Sequence, residues 1–247
     1  TTLRETQDFV NARNKLKNNL NNFKNSGVDI DVNKTIQDNL NIIKIKDKVS
    51  LTTAISLLLL DCMWPVVFYL SYMHGANILK YSFKYSAEQI IYNNFIVSIV
   101  MIVNVFTVVY LSNKIHPLII LKIKLILSSV ILLLFPFLLN STQNGSDILL
   151  IQCLVIFFAC DSAPANSVFF RYFAVLKRFT YTTVIYATSR ALVYIITSLG
   201  LIYLTDYFGH YGILFIIIPT IIGFAFGLSH FIKLEKEAGN IPDKEIY

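Results

Sequence analysis

Charge is what this chain has least of. Lysine, arginine, aspartate and glutamate make up 15% of its 247 residues, against about a quarter in an ordinary soluble domain. Tryptophan occurs once, at Trp64, and cysteine three times. Cys62, Cys153 and Cys160 are odd in number, form no CxxC pair and have no histidine cluster beside them. Neither a disulfide framework nor a zinc site is therefore expected. No P-loop, GxGxxG or HExxH sequence occurs, which removes the phosphate-cradling, dinucleotide and zinc-protease readings. No nucleophile–base arrangement can be named either, so an enzyme is not expected and no cofactor or metal is implied.

Apolar residues fill the gap: 55% of the chain is hydrophobic, with a mean hydropathy of +0.60. The excess lies in long blocks and not at strand or amphipathic-helix period. Six blocks stand out, at 50–73, 91–112, 118–139, 147–170, 182–205 and 212–232. Each is long enough to cross a hydrocarbon core of about 30 Å at about 1.5 Å per residue. Continuous blocks favour helices over a barrel, since a helix satisfies its own backbone in lipid. The expected fold is an all-α integral membrane bundle of six transmembrane helices over 50–232. A polar segment, 1–49, precedes it and a tail, 233–247, follows.

Basic residues set the expected orientation. Segments 1–49, 113–117, 171–181 and 233–247 hold most of them, among them Lys114, Arg171, Lys177, Arg178 and Lys233. The opposite loops hold only Lys80 and Lys84. The positive-inside rule then places both termini in the cytoplasm. Lys122 and Lys124 fall near the basic end of the third block and are expected to snorkel outwards. The net charge of +6 reads as topology, and nucleic acid is not an expected partner. The chain begins at Thr1 without a signal peptide. A long polar head followed directly by six spans leads to the expectation of a preceding segment.

Three stretches carry a family resemblance. TTLRETQDFV (1–10) resembles the LRETPEF-type sequence after the sixth span of metabolite:proton symporters in the major facilitator superfamily, with Gln7 for the proline and Asp8 for the glutamate. VYLSNKIHPLIIL (109–121) is similar to the superfamily's G-x-L-S-D-x-x-G-R-K loop. It keeps Leu111 and Ser112, with Asn113 at the aspartate and Val109, His116 and Pro117 at the Gly, Gly and Arg. YFAVLKRFTYT (172–182) resembles the LFPTRVRYTG sequence between the tenth and eleventh spans, matching at Phe173, Arg178 and Thr180 but not at Ala174, Leu176 and Tyr181. The order covers essentially the whole chain and is closest to proline/betaine transporters of intracellular bacteria. The resemblance implies the central loop and last six spans of a twelve-span carrier, one half of a major facilitator fold. It further implies symport of a small zwitterion or carboxylate, such as proline or betaine, with a proton across a bacterial inner membrane. The missing partner would be an N-terminal six-span half. A non-transporting membrane remnant or scaffold is the alternative.

Ionisable groups are costly inside a bilayer, by roughly 2.5–3.5 kcal/mol on insertion scales, so those within spans are the functional candidates. Away from the span ends they are Asp61, Asp161 and Arg190. All three fall about 12–18 Å in from the basic side at helical rise, near the midplane where such carriers bind solute. Trp64, Phe68 and Tyr72 follow Asp61 at i+3, i+7 and i+11. A carboxylate heading an aromatic stripe can hold a quaternary ammonium, although packing produces the same stripe. Pro65 cannot donate to the Asp61 carbonyl and is expected to kink the span. Asp161 lies in ACDSAPANS, small residues broken by Pro164. It reads either as a proton-coupling carboxylate or as an ion-pair partner of Arg190. Arg190, flanked at helical spacing by Tyr186, Tyr194 and Thr197, can clasp a solute carboxylate. Asn104 reads as a polar wall residue or an interhelical bond. Gly223 and Gly227 form a GxxxG, either a packing seam or a dimer signal.

Overall fold

The computed structural model describes residues 49–174 and 177–240, together with Asn14 and Asn18. The expectations drawn on the rest of 1–48, on 175 and 176 and on 241–247 lie outside the described residues. Every regular element among the described residues is helical. Five helical stretches are long and apolar enough to cross a membrane: Leu51–Tyr81, Ala87–Ser112, Pro117–Asn140, Gly145–Phe170 and Arg178–Glu237.

The first stretch comprises α1 (Leu51–Asp61), α2 (Met63–Phe68), a π-helical turn (Tyr69–His74) and α3 (Gly75–Tyr81). α1 gives way to α2 at Cys62, three residues before Pro65, where the ring leaves the Asp61 carbonyl without its helical donor. The helix outruns the predicted block, 50–73, because hydropathy reports lipid and not helix, and the more polar Gly75–Tyr81 turns continue the same backbone.

α4 (Ala87–Ser112) starts at a capping box. The Ser86 hydroxyl accepts from Gln89 N–H at 3.3 Å, and the Gln89 side chain accepts from Ser86 N–H at 2.9 Å. This satisfies two otherwise orphaned donors. α5 (Pro117–Asn140) has proline in its first turn, where the missing N–H costs nothing. The fourth stretch is interrupted. α6 (Gly145–Phe158) ends, residues 159–162 leave helical geometry, and a 3-10 turn at Ala163–Ala165 leads into α7 (Asn166–Phe170).

The two last blocks of the sequence, 182–205 and 212–232, fall within the single stretch Arg178–Glu237. It contains α8 (Arg178–Ile195), a π turn (Ile196–Gly200), α9 (Leu201–Phe208), a 3-10 turn (Gly209–Ile213) and α10 (Leu214–Glu237). Gly209 has φ +58° and ψ −149°, a conformation open to glycine and strained for other residues. The chain bends there, and α8 and α10 both pack against α1.

α1 is thus the inner element. Leu57 with Met63 and Val67 of α2 is fully buried, as are Leu118 and Leu121 of α5 and Phe224 and Phe231 of α10. Gly223 and Gly227 face α1 within the same chain. A Cβ on Gly227 would stand 2.5 Å from the Ser56 carbonyl oxygen and 2.9 Å from Leu60 Cγ. One on Gly223 would meet the Leu59 side chain, most closely Cδ2 at 3.1 Å, with Cβ and Cγ at 3.7 Å. The motif is therefore a seam inside the bundle, since lipid offers no hydrophobic drive and close backbone approach must hold the helices together.

Two polar joints add to it. Gln152 of α6 donates to the Ser71 carbonyl in the π turn and accepts from Asn93 of α4 at 2.6 Å. At the end of the bundle, Glu235 is wholly buried. Tyr172 Oη donates to its Oε1 at 2.6 Å, and Arg171 Nη2 lies 3.4 Å from the same oxygen. Burial, and then the carboxylate, push the Tyr172 phenol above its ordinary value, so it stays a donor.

The seam has a direct test. Gly227→Ala should destabilise the folded chain by about 1–3 kcal/mol through overpacking, seen as a lower thermal midpoint in detergent. Gly223→Ala should cost less than half of that, because a leucine methyl can yield where a carbonyl cannot. A larger loss at Gly223 would contradict this packing.

Candidate functional site

Four ionisable side chains from four stretches meet around the gap in the fourth. Asp61 closes α1, buried at 8% exposure, and its Oδ1 accepts from the Ser162 hydroxyl at 2.8 Å. Ser162 belongs to the non-helical segment, next to Asp161. Asp161 Oδ1 accepts from the Ala163 N–H at 3.3 Å, so this carboxylate caps the 3-10 turn that restarts the helix. The Arg190 charge of α8 acts on both carboxylates, and the Asp161 charge acts on Asp61. The fourth group is Lys124 of α5, whose charge also reaches Asp161.

Local sequence explains the gap. Ala159, Cys160, Ser162, Ala163 and Ala165 are small, and Pro164 cannot donate to a helical acceptor. Ala159 turns to φ −49°, ψ 134° and ends α6. Backbone groups released at membrane depth must find partners in protein or in a water-filled cavity. Asn104 of α4 reinforces the end of α6: its Nδ2 donates at 3.3 Å to the Ile156 carbonyl, which also accepts from the Ala159 N–H at 3.3 Å. Lys124 Nζ donates in turn to Asn104 Oδ1 at 2.9 Å. Cys160 Sγ approaches the Leu121 carbonyl at 3.9 Å. Asn104 is thus an interhelical bond, the second of its two readings.

Arg190 makes no direct pair with either aspartate within 4.0 Å among the described residues. Its guanidinium lies over the Tyr186 ring, 4.7 Å from the centroid, and its buried Nε has no hydrogen-bond partner. Tyr186 and Tyr194 are exposed at 51% and 43%. The two tyrosines flanking Arg190 on α8 are therefore uncovered in the single chain, while Arg190 itself is half-buried and Ser189 and Val193 behind it are buried.

The aromatic stripe is divided. Trp64 and Phe68 are half-buried, and Phe68 stacks on Tyr72 at 4.9 Å between centroids. Tyr72 shares a hydrogen bond with Ser98 of α4 at 3.2 Å, away from the carboxylates. The i+11 spacing assumed an unbroken α-helix, but Tyr72 falls in the π turn, which shifts its face. Asp61, Asp161, Arg190 and Asn104 converge. Tyr72 does not join them, and Tyr194 lies one helical turn beyond Arg190 on the same side of α8, exposed.

Lys124 is the residue missed from the sequence. Snorkelling was expected, yet it lies seven residues inside α5, about 10 Å from the helix start, and reaches inward. Depth measured from Pro117 was the available signal. A cleft of about 410 Å³ lies elsewhere, between the starts of α4 and α6, lined by Tyr85, Glu88, Asn93 and Gly145 among others. It touches none of the charged cluster. Among the described residues no group of three or more His, Cys, Asp or Glu side chains could hold a metal ion. No family model, curated protein or solved structure matches the chain.

Removing the Ser162 hydroxyl isolates a buried carboxylate oxygen. Ser162→Ala should cost about 1–3 kcal/mol of stability. Ser162→Thr, which keeps the donor, should recover most of it in the same melting assay. Equal losses in the two variants would show that this bond contributes nothing.

Proposed function

We propose that this chain is one six-span half of a secondary transporter that moves a small zwitterionic or carboxylate solute, with Asp61, Asp161 and Arg190 at its site. The observation that carries the reading is the convergence of these three charges, from three helical stretches, on an interrupted helix. Broken spans near the midplane are where secondary transporters hold solute and coupling ion, because half-helix ends present free backbone dipoles. Two carboxylates and a guanidinium within reach of one another suit a solute with both signs of charge, such as proline or betaine. The cationic end would go to Asp61 and the Trp64 and Phe68 rings, and the carboxylate to Arg190. Asp161, held only by backbone at the break, is suited to carry the coupling proton.

The bend at Gly209, with α8 and α10 both against α1, supports six spans, the last stretch crossing twice. Even spans with basic flanks favour both termini in the cytoplasm of a bacterial inner membrane. The uncovered Arg190 face supports a covering partner, an N-terminal six-span half of a major facilitator carrier. An arginine facing lipid at that depth would be costly.

Labelled proline and betaine uptake, with this chain produced beside such a half, tests the reading. Proton-dependent uptake is expected. Asp61→Asn should raise KM for the solute about tenfold or more, the loss of one charge contact of about 1.4 kcal/mol. Inserted protein that takes up neither solute in any combination would leave a non-transporting scaffold.

A further inference from the structure

The cleft between the starts of α4 and α6 shares no residue with the charged cluster. Its volume of about 410 Å³ falls in the range of small-ligand sites, about 300–1,000 Å³. The local backbone explains its shape. Lys84 holds φ +58°, a left-handed value uncommon outside glycine. The next residue, Tyr85, donates its N–H to the Leu79 carbonyl at 3.0 Å. Its ring lies over the start of α6, where a Cβ on Gly145 would overlap Tyr85 Oη and Cζ. Only glycine leaves room for the ring there. Asn93 forms part of the wall, buried and held by its bond to Gln152.

The lining chemistry is that of a cation site. Glu88 and Tyr92 stand one turn apart on α4, at i and i+4, and so share a face. Tyr85 closes the same cleft from the loop. Two tyrosines and a carboxylate thus border one space, and no lysine or arginine lines it. Glu88 has no ion pair among the described residues. The other carboxylate at these helix starts, Asp147, is taken up by the Gln143 and Asn144 N–H groups at 3.0 Å. The first turn of α4 is closed by its own capping box, so it is not left to draw an anion. A tyrosine face attracts an ammonium through its quadrupole. The same side of the chain already shows that contact, with Lys80 Nζ 5.3 Å from the Tyr81 centroid. Tyrosine alone at a span end would be an ordinary interfacial anchor. An anchor needs neither a carboxylate beside it nor a glycine cleared beneath its ring.

We propose that this cleft binds a small organic ammonium, its positive head against the Tyr85 and Tyr92 rings and the Glu88 carboxylate. The 26 residues of α4 span about 39 Å, close to the full bilayer with its headgroups, about 40–45 Å. Glu88, at the second residue of α4, therefore stands in the headgroup layer. The ammonium is carried there by a free solute or by a zwitterionic lipid. The site goes beyond the transport reading and needs neither uptake nor the Asp61 cluster.

The test titrates the purified full chain, in a maltoside detergent, with choline chloride replacing sodium chloride at constant ionic strength. The melting midpoint should rise by about 3 °C at saturating choline and yield an apparent Kd. Glu88→Gln and Tyr92→Leu, both at exposed positions, should each raise that Kd about two- to fivefold. Asp61→Asn should leave it unchanged. Glycerophosphocholine and monomeric dihexanoyl phosphatidylcholine then distinguish the sources. Equal Kd for the two supports a free solute, and tighter binding of the acylated probe supports a lipid headgroup. Dihexanoyl phosphatidylglycerol, which lacks the ammonium, should give no shift. A midpoint indifferent to choline and to both phosphocholine probes overturns the proposal. So does an equal response to the phosphatidylglycerol, a response that Glu88→Gln and Tyr92→Leu both leave intact, or one that Asp61→Asn abolishes.

Discussion

A backbone interrupted inside a membrane has no water at hand, and every N–H and C=O that leaves the helix must be matched by protein or by a polar cavity. Residues 159–162 impose that demand on this chain. The rest of the charged architecture reads as the response: Asn104 to the Ile156 carbonyl, Asp161 to the Ala163 N–H, Ser162 to Asp61, and Lys124 to Asn104. Each partner comes from a different helix or from the gap itself, so the break also fixes how α1, α4, α5 and α6 sit together. Without the break there would be little reason to hold two carboxylates and a lysine at this depth.

The seam of α10 against α1 works from the other side. Gly227 lets the two backbones approach so closely that a Cβ there would stand 2.5 Å from the Ser56 carbonyl oxygen, and this packing holds the helix that presents Asp61 at its end. Asp61 then stands where Pro65 leaves its carbonyl without a helical donor. Two irregular points on neighbouring stretches, Cys62 and 159–162, thus face each other through a single Ser162–Asp61 bond.

Much of this was legible in the sequence, and the reasons it stopped are physical. Depth counted along a helix placed Asp61, Asp161 and Arg190 in one layer, because charges in apolar runs are conspicuous. The proline and small residues of ACDSAPANS marked the break. Pro65 marked the change at Cys62. Lys124 was misread because a lysine near a span end snorkels outwards unless a polar partner lies inside, and its partner, Asn104, is twenty residues away on another helix. Tyr72 keeps its place against Phe68 but also bonds to Ser98 of α4, because the π turn in which it falls rotates the helix there. The blocks 182–205 and 212–232 lie in one helical stretch, in which Gly209 at φ +58° interrupts the helical backbone and a 3-10 turn follows.

The α8 face remains the exposed side of the charged cluster, with Arg190 between two uncovered tyrosines. A lipid-facing arginine and an arginine lining a wet cavity make opposite demands, and the transport reading requires the second. The most direct measurement is the reactivity of a cysteine at position 194 in a chain whose Cys62, Cys153 and Cys160 are replaced by serine or alanine, assembled in membrane vesicles beside a six-span half. A charged, membrane-impermeant thiosulfonate should modify Tyr194→Cys, and proline or betaine should slow the reaction. Modification only by a lipid-soluble maleimide, unaffected by solute, would place this face in lipid and contradict the account.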